Sequence, residues 1–344
     1  MTTYLLLAVG LLVLVKGADI MISAASKIAK ILKVPAFIVG LFIVAIGTSA
    51  PEAAIGVFSG IQGANLLTLG DVVGSSIVNI TVILGLTALI FPIPVDSQVP
   101  RRELLLSILI QIVLTIMIFT SYTLSRLESV ILLIGMFLFV SYITSKSVQL
   151  SKREKPDTRF EEAVFEYLED QEVLADASDD ASDEETTSTK EEKSEFMPKQ
   201  AALFLIGLVG LVMGANLAVD SAVQIAHSLG WSEEFIGLTV VAFGTSLPEL
   251  VACLIAAIKK EEDIALGNII GSNIFNILFV LGVSGVLHPI TAAGPDIFYD
   301  LLIMIGASVL LMVPAYFYGR LSKRTGFVFI SYYIIFLAIK LSAL

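Results

Sequence analysis

Cysteine occurs once in these 344 residues, at Cys253, and histidine twice, at His227 and His288. A single thiol excludes an internal disulfide, so Cys253 reads as a small packing residue. With so few soft donors, a zinc, copper or iron–sulfur centre is excluded too. Charge is also scarce: Asp, Glu, Lys and Arg make up 15% of the chain, against about 25% in ordinary soluble domains. All of its imbalance lies in one stretch. Residues 151–198 hold 17 acidic and 6 basic side chains, which accounts for the whole net charge of −11, while the remainder carries 15 of each sign. No Lys or Arg precedes the first apolar run, although the start of a secretory signal peptide carries positive charge. That run therefore reads as part of the retained structure.

What is present is hydrocarbon. The chain is 56% hydrophobic with a mean hydropathy of +0.89. Apolar runs near the ~20 residues that cross a bilayer recur along it. Ten helices are expected, near 4–27, 35–60, 70–91, 103–122, 128–148, 199–225, 233–257, 265–287, 296–318 and 325–343. The runs lack the alternation of a lipid-facing barrel, and a chain in lipid must satisfy its own backbone. The expected fold class is therefore an all-α membrane protein of ten transmembrane helices.

The acidic stretch divides the chain into residues 1–150, a linker at 151–198, and residues 199–344. The outer parts align without a gap at an offset of 197. Gly10, Gly17, Gly40, Gly47 and Gly70 fall on Gly207, Gly214, Gly237, Gly244 and Gly267. Gly74, Ser75, Asn79, Gly85 and Pro92 fall on Gly271, Ser272, Asn276, Gly282 and Pro289. This is a duplicated five-helix unit, and an odd helix count inverts the second copy in the membrane. Short cytoplasmic loops collect Lys and Arg, and the bias swaps sides as inversion requires. Lys27, Lys30 and Lys33 face Gln224, His227 and Gly230, whereas Gln62 and Gly63 face Lys259 and Lys260. Both termini are then expected outside and the acidic linker in the cytoplasm. Inverted repeats are a transporter signature, with the site near the midplane.

Each copy carries the same two liabilities inside an apolar run: Gly47-Thr48-Ser49-Ala50-Pro51-Glu52 and Gly244-Thr245-Ser246-Leu247-Pro248-Glu249. Proline removes the hydrogen bond to the carbonyl four residues earlier, that of Gly47 or Gly244. Thr48, Ser49, Thr245 and Ser246 add hydroxyls, and Glu52 and Glu249 add carboxylates. Downstream, Ser75 and Asn79 stand four apart on one helix face, as do Ser272 and Asn276. Such hard oxygen donors suit Ca²⁺ and Na⁺. Two carboxylates balance one divalent charge, and mutually exclusive occupancy is a route to exchange. A single proline is often only a kink, and a lone Ser often only bonds back to its helix. Two copies, each with an intramembrane Glu at the same offset, argue for function. Asp71 falls on Asn268 and reads as a helix cap; His227 and His288 read as interfacial. Gly70-Asp71 and Tyr299-Asp300 faintly suggest an intramembrane aspartyl protease, but Thr68 stands where a glycine is needed and the motif order is reversed. A serine mechanism at Ser49 lacks a base. No enzyme is expected.

The paired segments GTSAPE and GTSLPE, with GSSIVN and GSNIFN downstream, resemble the two alpha repeats of the sodium/calcium exchanger branch of the cation/calcium exchanger superfamily. The resemblance covers both membrane parts. It implies ten helices, with ions between helices two, three, seven and eight, and a first and sixth helix that slide to switch access. It also implies a ligand set. Glu52 and Glu249 match the central calcium carboxylates. Thr48 and Thr245 match ligands using backbone and side-chain oxygen, and Ala45 and Ala242 match carbonyl ligands of outer sodium sites. Ser75, Ser272 and Asn79 match side-chain ligands, and Ser49 and Ser246 match polar lining. Asn276 stands where many members, including potassium-dependent ones, have aspartate. With Glu52 and Glu249 as the only charges, K⁺ is expected to be unnecessary. The proton-coupled branch carries an Asn-Ala-x-Glu form that is absent here.

The 48-residue linker is too short and too polar for the large regulatory calcium-binding domains of animal exchangers. Within it, 160–174 reads as a short amphipathic helix and the rest as a solvated tether. DASDDASDEE lacks the spacing of an EF-hand. The expected function is secondary active exchange of Ca²⁺ for Na⁺ across a cell membrane, with proton-coupled or other cation antiport as the alternative and a passive channel as a third reading. Ca²⁺, Na⁺ and the bilayer are the expected partners. No cofactor, nucleic acid or obligatory protein partner is expected.

Overall fold

The computed structural model describes residues 2–63, 65–95, 98–151, 188–229, 242–292 and 296–343. The chain begins with α1 (Thr2–Leu32), followed by a broken helix formed by α2 (Ala36–Thr48) and α3 (Ala50–Gln62). Next comes α4 (Asn65–Val78), which runs on through a wide π turn at Asn79–Leu84 into Gly85–Ile90. Then follow β1 (Ile93–Pro94), α5 (Gln98–Ser121), β2 (Thr123–Leu124) and α6 (Arg126–Ser151). The end of the 151–198 stretch is helical rather than a tether: α7 (Ser188–Ser228) begins within it, and α8 (Ala242–Thr245) and α9 (Leu247–Ile258) follow. The next helix, α10 (Glu262–Phe275), passes through a π turn at Asn276–Leu281 into Gly282–Leu287. The last elements are β3 (Ile290–Thr291), α11 (Asp296–Phe317), β4 (Arg320–Leu321) and α12 (Lys323–Ala343).

Seven of these helices are long and apolar enough to cross a membrane, and an eighth span arises if the bent α2–α3 pair is counted as one. The chain is a multi-pass integral membrane protein. Its helices expose large apolar side chains such as Leu12, Leu109, Phe137, Leu205 and Phe327, which is stable only against lipid tails. The segment from Thr68 to Ile90 and the one from Glu262 to Leu287 differ from the others. They are 78% and 83% buried, against 28–39% for the remaining spans. These two are the central helices, and the outer ones shield them from lipid.

Local breaks follow the sequence. α1 ends just before Lys33, which is left-handed (φ 54°), with the Val34 amide donating back to the Ala29 carbonyl at 3.0 Å; Pro35 then follows. The α2–α3 break bends by 48° at Ser49, where Pro51 supplies no backbone donor. α6 opens with a capping box, Glu128 Oε2 accepting from the Ser125 amide at 2.8 Å and hydroxyl at 2.7 Å.

The offset of 197 is visible throughout. The π turns start at Asn79 and Asn276, β1 and β2 recur as β3 and β4, and the Ser125–Glu128 box recurs as Ser322–Thr325. Left-handed turns recur as well: Gly63 (φ 72°) with Lys260 (φ 60°), and Tyr122 (φ 52°) with Gly319 (φ 62°). The strand pairs cross between halves, β1 with β4 and β2 with β3, both antiparallel. Helix α1 packs along α7 at a contact of small residues. A Cβ on Gly17 would lie 2.3 Å from the Leu211 amide, and one on Gly214 2.3 Å from that of Leu14. Backbone contact at these positions therefore requires glycine, as close helix pairs in lipid often do.

The 160–174 amphipathic stretch and the first part of the 233–257 helix lie outside the described residues.

Candidate cation site

The site lies where α2, α3 and α4 of the first half meet α8, α9 and α10 of the second. Glu52 opens α3 and Glu249 opens α9, each in the first turn after its proline. Their exposures are 1% and 0%. Lys or Arg forms no ion pair with either among the described residues. The ion pairs present lie elsewhere: Lys146–Glu103 at 2.5 Å, Lys259–Asp19 at 2.7 Å and Lys340–Asp300 at 2.7 Å. The last of these pairs Lys340, near the end of α12, with an acid of α11.

The hydrogen bonds run between halves. Ser49 Oγ donates to Glu249 Oε1 at 3.1 Å. Thr48 Oγ1 donates to Asn268 Oδ1 at 3.0 Å and lies 3.5 Å from Ser272 Oγ. Thr245 Oγ1 donates to Asp71 Oδ1 at 3.4 Å. Asn276 Nδ2 donates to Ser75 Oγ at 3.4 Å, and Asn79 Nδ2 donates to Asn273 Oδ1 at 3.0 Å. Both amides thus use their nitrogen to tie the central helices together and keep their oxygen free.

The free oxygens define the chemistry. Glu52 Oε1 and Oε2, Glu249 Oε2, Asn79 Oδ1, Asn276 Oδ1, Ser246 Oγ and Asp71 Oδ2 are cut off from solvent and have no hydrogen-bond partner. Buried polar atoms are nearly always paired, because an unpaired one costs several kcal/mol. All of these are oxygens with lone pairs to offer, and several carry charge. Oxygens of this kind can be satisfied together by a desolvated cation.

The structure therefore brings together Thr48, Ser49, Glu52, Ser75, Asn79, Ser246, Glu249, Ser272 and Asn276, with Thr245 on one flank. Ala45 contributes differently: its carbonyl already accepts the Ser49 amide at 3.0 Å and the Thr48 hydroxyl at 3.4 Å. Ala242 starts α8. Cys253 is fully buried against the Thr87 hydroxyl, 3.4 Å away, as its packing role requires.

One reading is corrected. Asp71 is not a helix cap: it lies within α4, half a helix from either end, and its carboxylate meets Thr245. The signal was there, since an acid inside an apolar run marks a functional position by default. Asn268 and Asn273 were also missed. Each sits between residues already singled out, and only the packing of α10 against α2 and α4 shows it.

The family model for the sodium/calcium exchanger protein matches residues 2–145 and 199–342, which skips the acidic linker. The chain is 33% identical to the sodium/calcium exchanger MaX1 of Methanosarcina acetivorans, over 98% of this chain and 97% of the relative. It is 37% identical to the putative antiporter CaxA of Alkalimonas amylolytica, over 92% and 90% of the two chains. Among solved structures, the sodium-calcium exchanger NCX_Mj soaked with 10 mM Na⁺ and zero Ca²⁺ superposes with a TM-score of 0.77 at 29% identity, over 98% of both chains. Two carboxylates buried without a cationic partner, set among free oxygens where two repeated halves meet, are thus found in a chain that belongs to the sodium/calcium exchanger family.

Proposed function

We propose that this Ca²⁺/Na⁺ antiporter works through one central site shared by its halves, with Glu52 and Glu249 as the charged ligands of Ca²⁺. Thr48, Thr245, Ser75, Ser272, Asn79 and Asn276 complete the oxygen set, Ala45 and Ala242 offer backbone carbonyls, and Ser49 and Ser246 line the walls. The observation that carries this reading is the unpartnered state of Glu52, whose two carboxylate oxygens are buried and accept no hydrogen bond from another residue. Ca²⁺ balances both glutamates, and Na⁺ ions compete for the same oxygens, so the loads alternate rather than add.

The architecture we propose is ten transmembrane helices in two inverted five-helix repeats, residues 1–150 and 199–344, joined by a cytoplasmic linker at 151–198. The crossed strand pairs support it, because a two-fold relation that maps β1 onto β3 must map β4 onto β2. Termini outside, in the cell membrane, follow from the distribution of Lys and Arg. Helices α1 and α7, locked to each other through Gly10, Gly17, Gly207 and Gly214, move as a pair across the site and open it to either side.

The test is ⁴⁵Ca²⁺ uptake into sodium-loaded proteoliposomes. Uptake is expected to require the outward sodium gradient and to be indifferent to an imposed proton gradient. Uptake driven by protons alone would select the proton-coupled alternative, and flux without a counter-ion would select a channel.

A further inference from the structure

We infer that Asp71 and the Thr245 hydroxyl form a separate station for a monovalent cation of the Na⁺ class, beside the Glu52–Glu249 pair. The inference rests on the exchanger reading above and adds a third acidic ligand to it. Asp71 Oδ2 is shut off from solvent and has no partner, while Oδ1 is held by Thr245. No Lys or Arg forms an ion pair with it among the described residues. Thr245 stands four residues before Glu249 and Asp71 four before Ser75, so the contact joins the two segments that carry the central residues. Yet no three acidic, His or Cys side chains among the described residues converge on a single ion position. Asp71 is therefore a neighbour of the calcium pair rather than a third arm of it. One carboxylate and one hydroxyl offer hard oxygen and a single negative charge, which balances a monovalent ion.

The counterpart shows what the station adds. Asp71 and Thr245 map at the offset of 197 onto Asn268 and Thr48, which make the same contact at 3.0 Å. There the acceptor is a neutral amide. One flank of the site thus carries a charge that the other lacks. With Asp71 included, three carboxylates face the load: three Na⁺ neutralise them, whereas Ca²⁺ leaves one for a monovalent companion. The expectation that K⁺ has no place beside Ca²⁺ counted only two carboxylates, and this station supplies the third.

The experiment is equilibrium binding of ²²Na⁺ and ⁴⁵Ca²⁺ to the purified full-length protein in choline buffer, comparing wild type, Asp71→Asn and Asn268→Asp. Asp71→Asn is expected to weaken Na⁺ binding about tenfold or more and to remove one Na⁺ at saturation, with a smaller loss for Ca²⁺. A through-space effect alone would weaken the divalent ion more than the monovalent one, so the reverse order identifies direct ligation. A larger loss for Ca²⁺, or no change in Na⁺, overturns the station. Asn268→Asp keeps the inference testable if Asp71→Asn fails to fold: it builds the same pair beside Thr48 and is expected to add one Na⁺ at saturation, and an unchanged count overturns the inference. Competition with K⁺ shows which monovalent ions the station accepts. Calcium binding that survives Glu52→Gln would instead refute the central site and leave the Asp71 measurement standing.

Discussion

The two halves share their elements, turns and motifs at one offset, and they differ in how the site residues are partnered. In the second half, Glu249 receives the Ser49 hydroxyl at 3.1 Å. The equivalent contact would join Ser246 to Glu52, and neither of those oxygens has a partner. The flanks differ too, Asp71 against Asn268. A duplicated scaffold can thus keep its packing while its electrostatics diverge. Packing must match across every helix contact, whereas one side chain facing a cavity changes without moving its neighbours. The hydrogen bond from Ser49 positions Glu249, whereas Glu52 has no such partner.

The largest effect should come from removing either charge. Glu52→Gln and Glu249→Gln are each expected to abolish ⁴⁵Ca²⁺ uptake in proteoliposomes, with affinity falling at least about tenfold. The amide keeps the shape and removes one of two balancing charges. Equal losses would show that the partnering difference does not matter for transport; normal uptake by either variant would remove it from the site.

Next come the ion pairs at equivalent acids, Glu103 and Asp300. Lys146 and Glu103 have side-chain exposures of 13% and 1%, Lys340 and Asp300 of 38% and 16%. Breaking a buried pair strands a charge, at about 3–5 kcal/mol, whereas exposed pairs contribute about 1 kcal/mol or less. Lys146→Met should therefore lower the thermal midpoint in detergent clearly more than Lys340→Met. The reverse order would mean that the second pair is the structural one.

A smaller difference separates the serines. Ser49→Ala is expected to destabilise the ion-free protein by about 1–3 kcal/mol, the cost of a bond to a charged group. Ser246→Ala should leave the ion-free protein near wild type, because its hydroxyl has no bond to lose. Thermal midpoints in chelator, without Na⁺, compare the two directly.

The smallest effect should follow replacement of residues 157–187, which precede α7, by a short flexible linker. The candidate site takes no residue from this stretch, and loop length changes closure entropy little. Sodium-driven uptake should persist. A variant that folds and fails to transport would assign the linker a part in the cycle.

Much of the site was legible in the chain because its signals are local. Proline, an acid and paired hydroxyls inside an apolar run are costly unless something binds them, and seeing them twice at one offset makes accident implausible. Asp71 was misread for the opposite reason. A single acid near the end of an apolar run looks like a cap until the helix is seen to begin earlier, at Asn65.

By itself the sequence determined the membrane class, the repeat at an offset of 197 and two glutamates inside apolar runs, since hydropathy and spacing are properties of the chain alone. Only tertiary structure decided which oxygens are left over. Asn79 and Asn276 keep their oxygens unpartnered because their nitrogens are taken up by Asn273 and Ser75 on the opposing helix. The wide π turns that begin at these two residues belong to the same interlocking and left no mark in the apolar pattern. Whether a polar group is free to bind depends on what packs against it, and that is fixed only when helices distant in sequence come within about 3 Å of one another's donors.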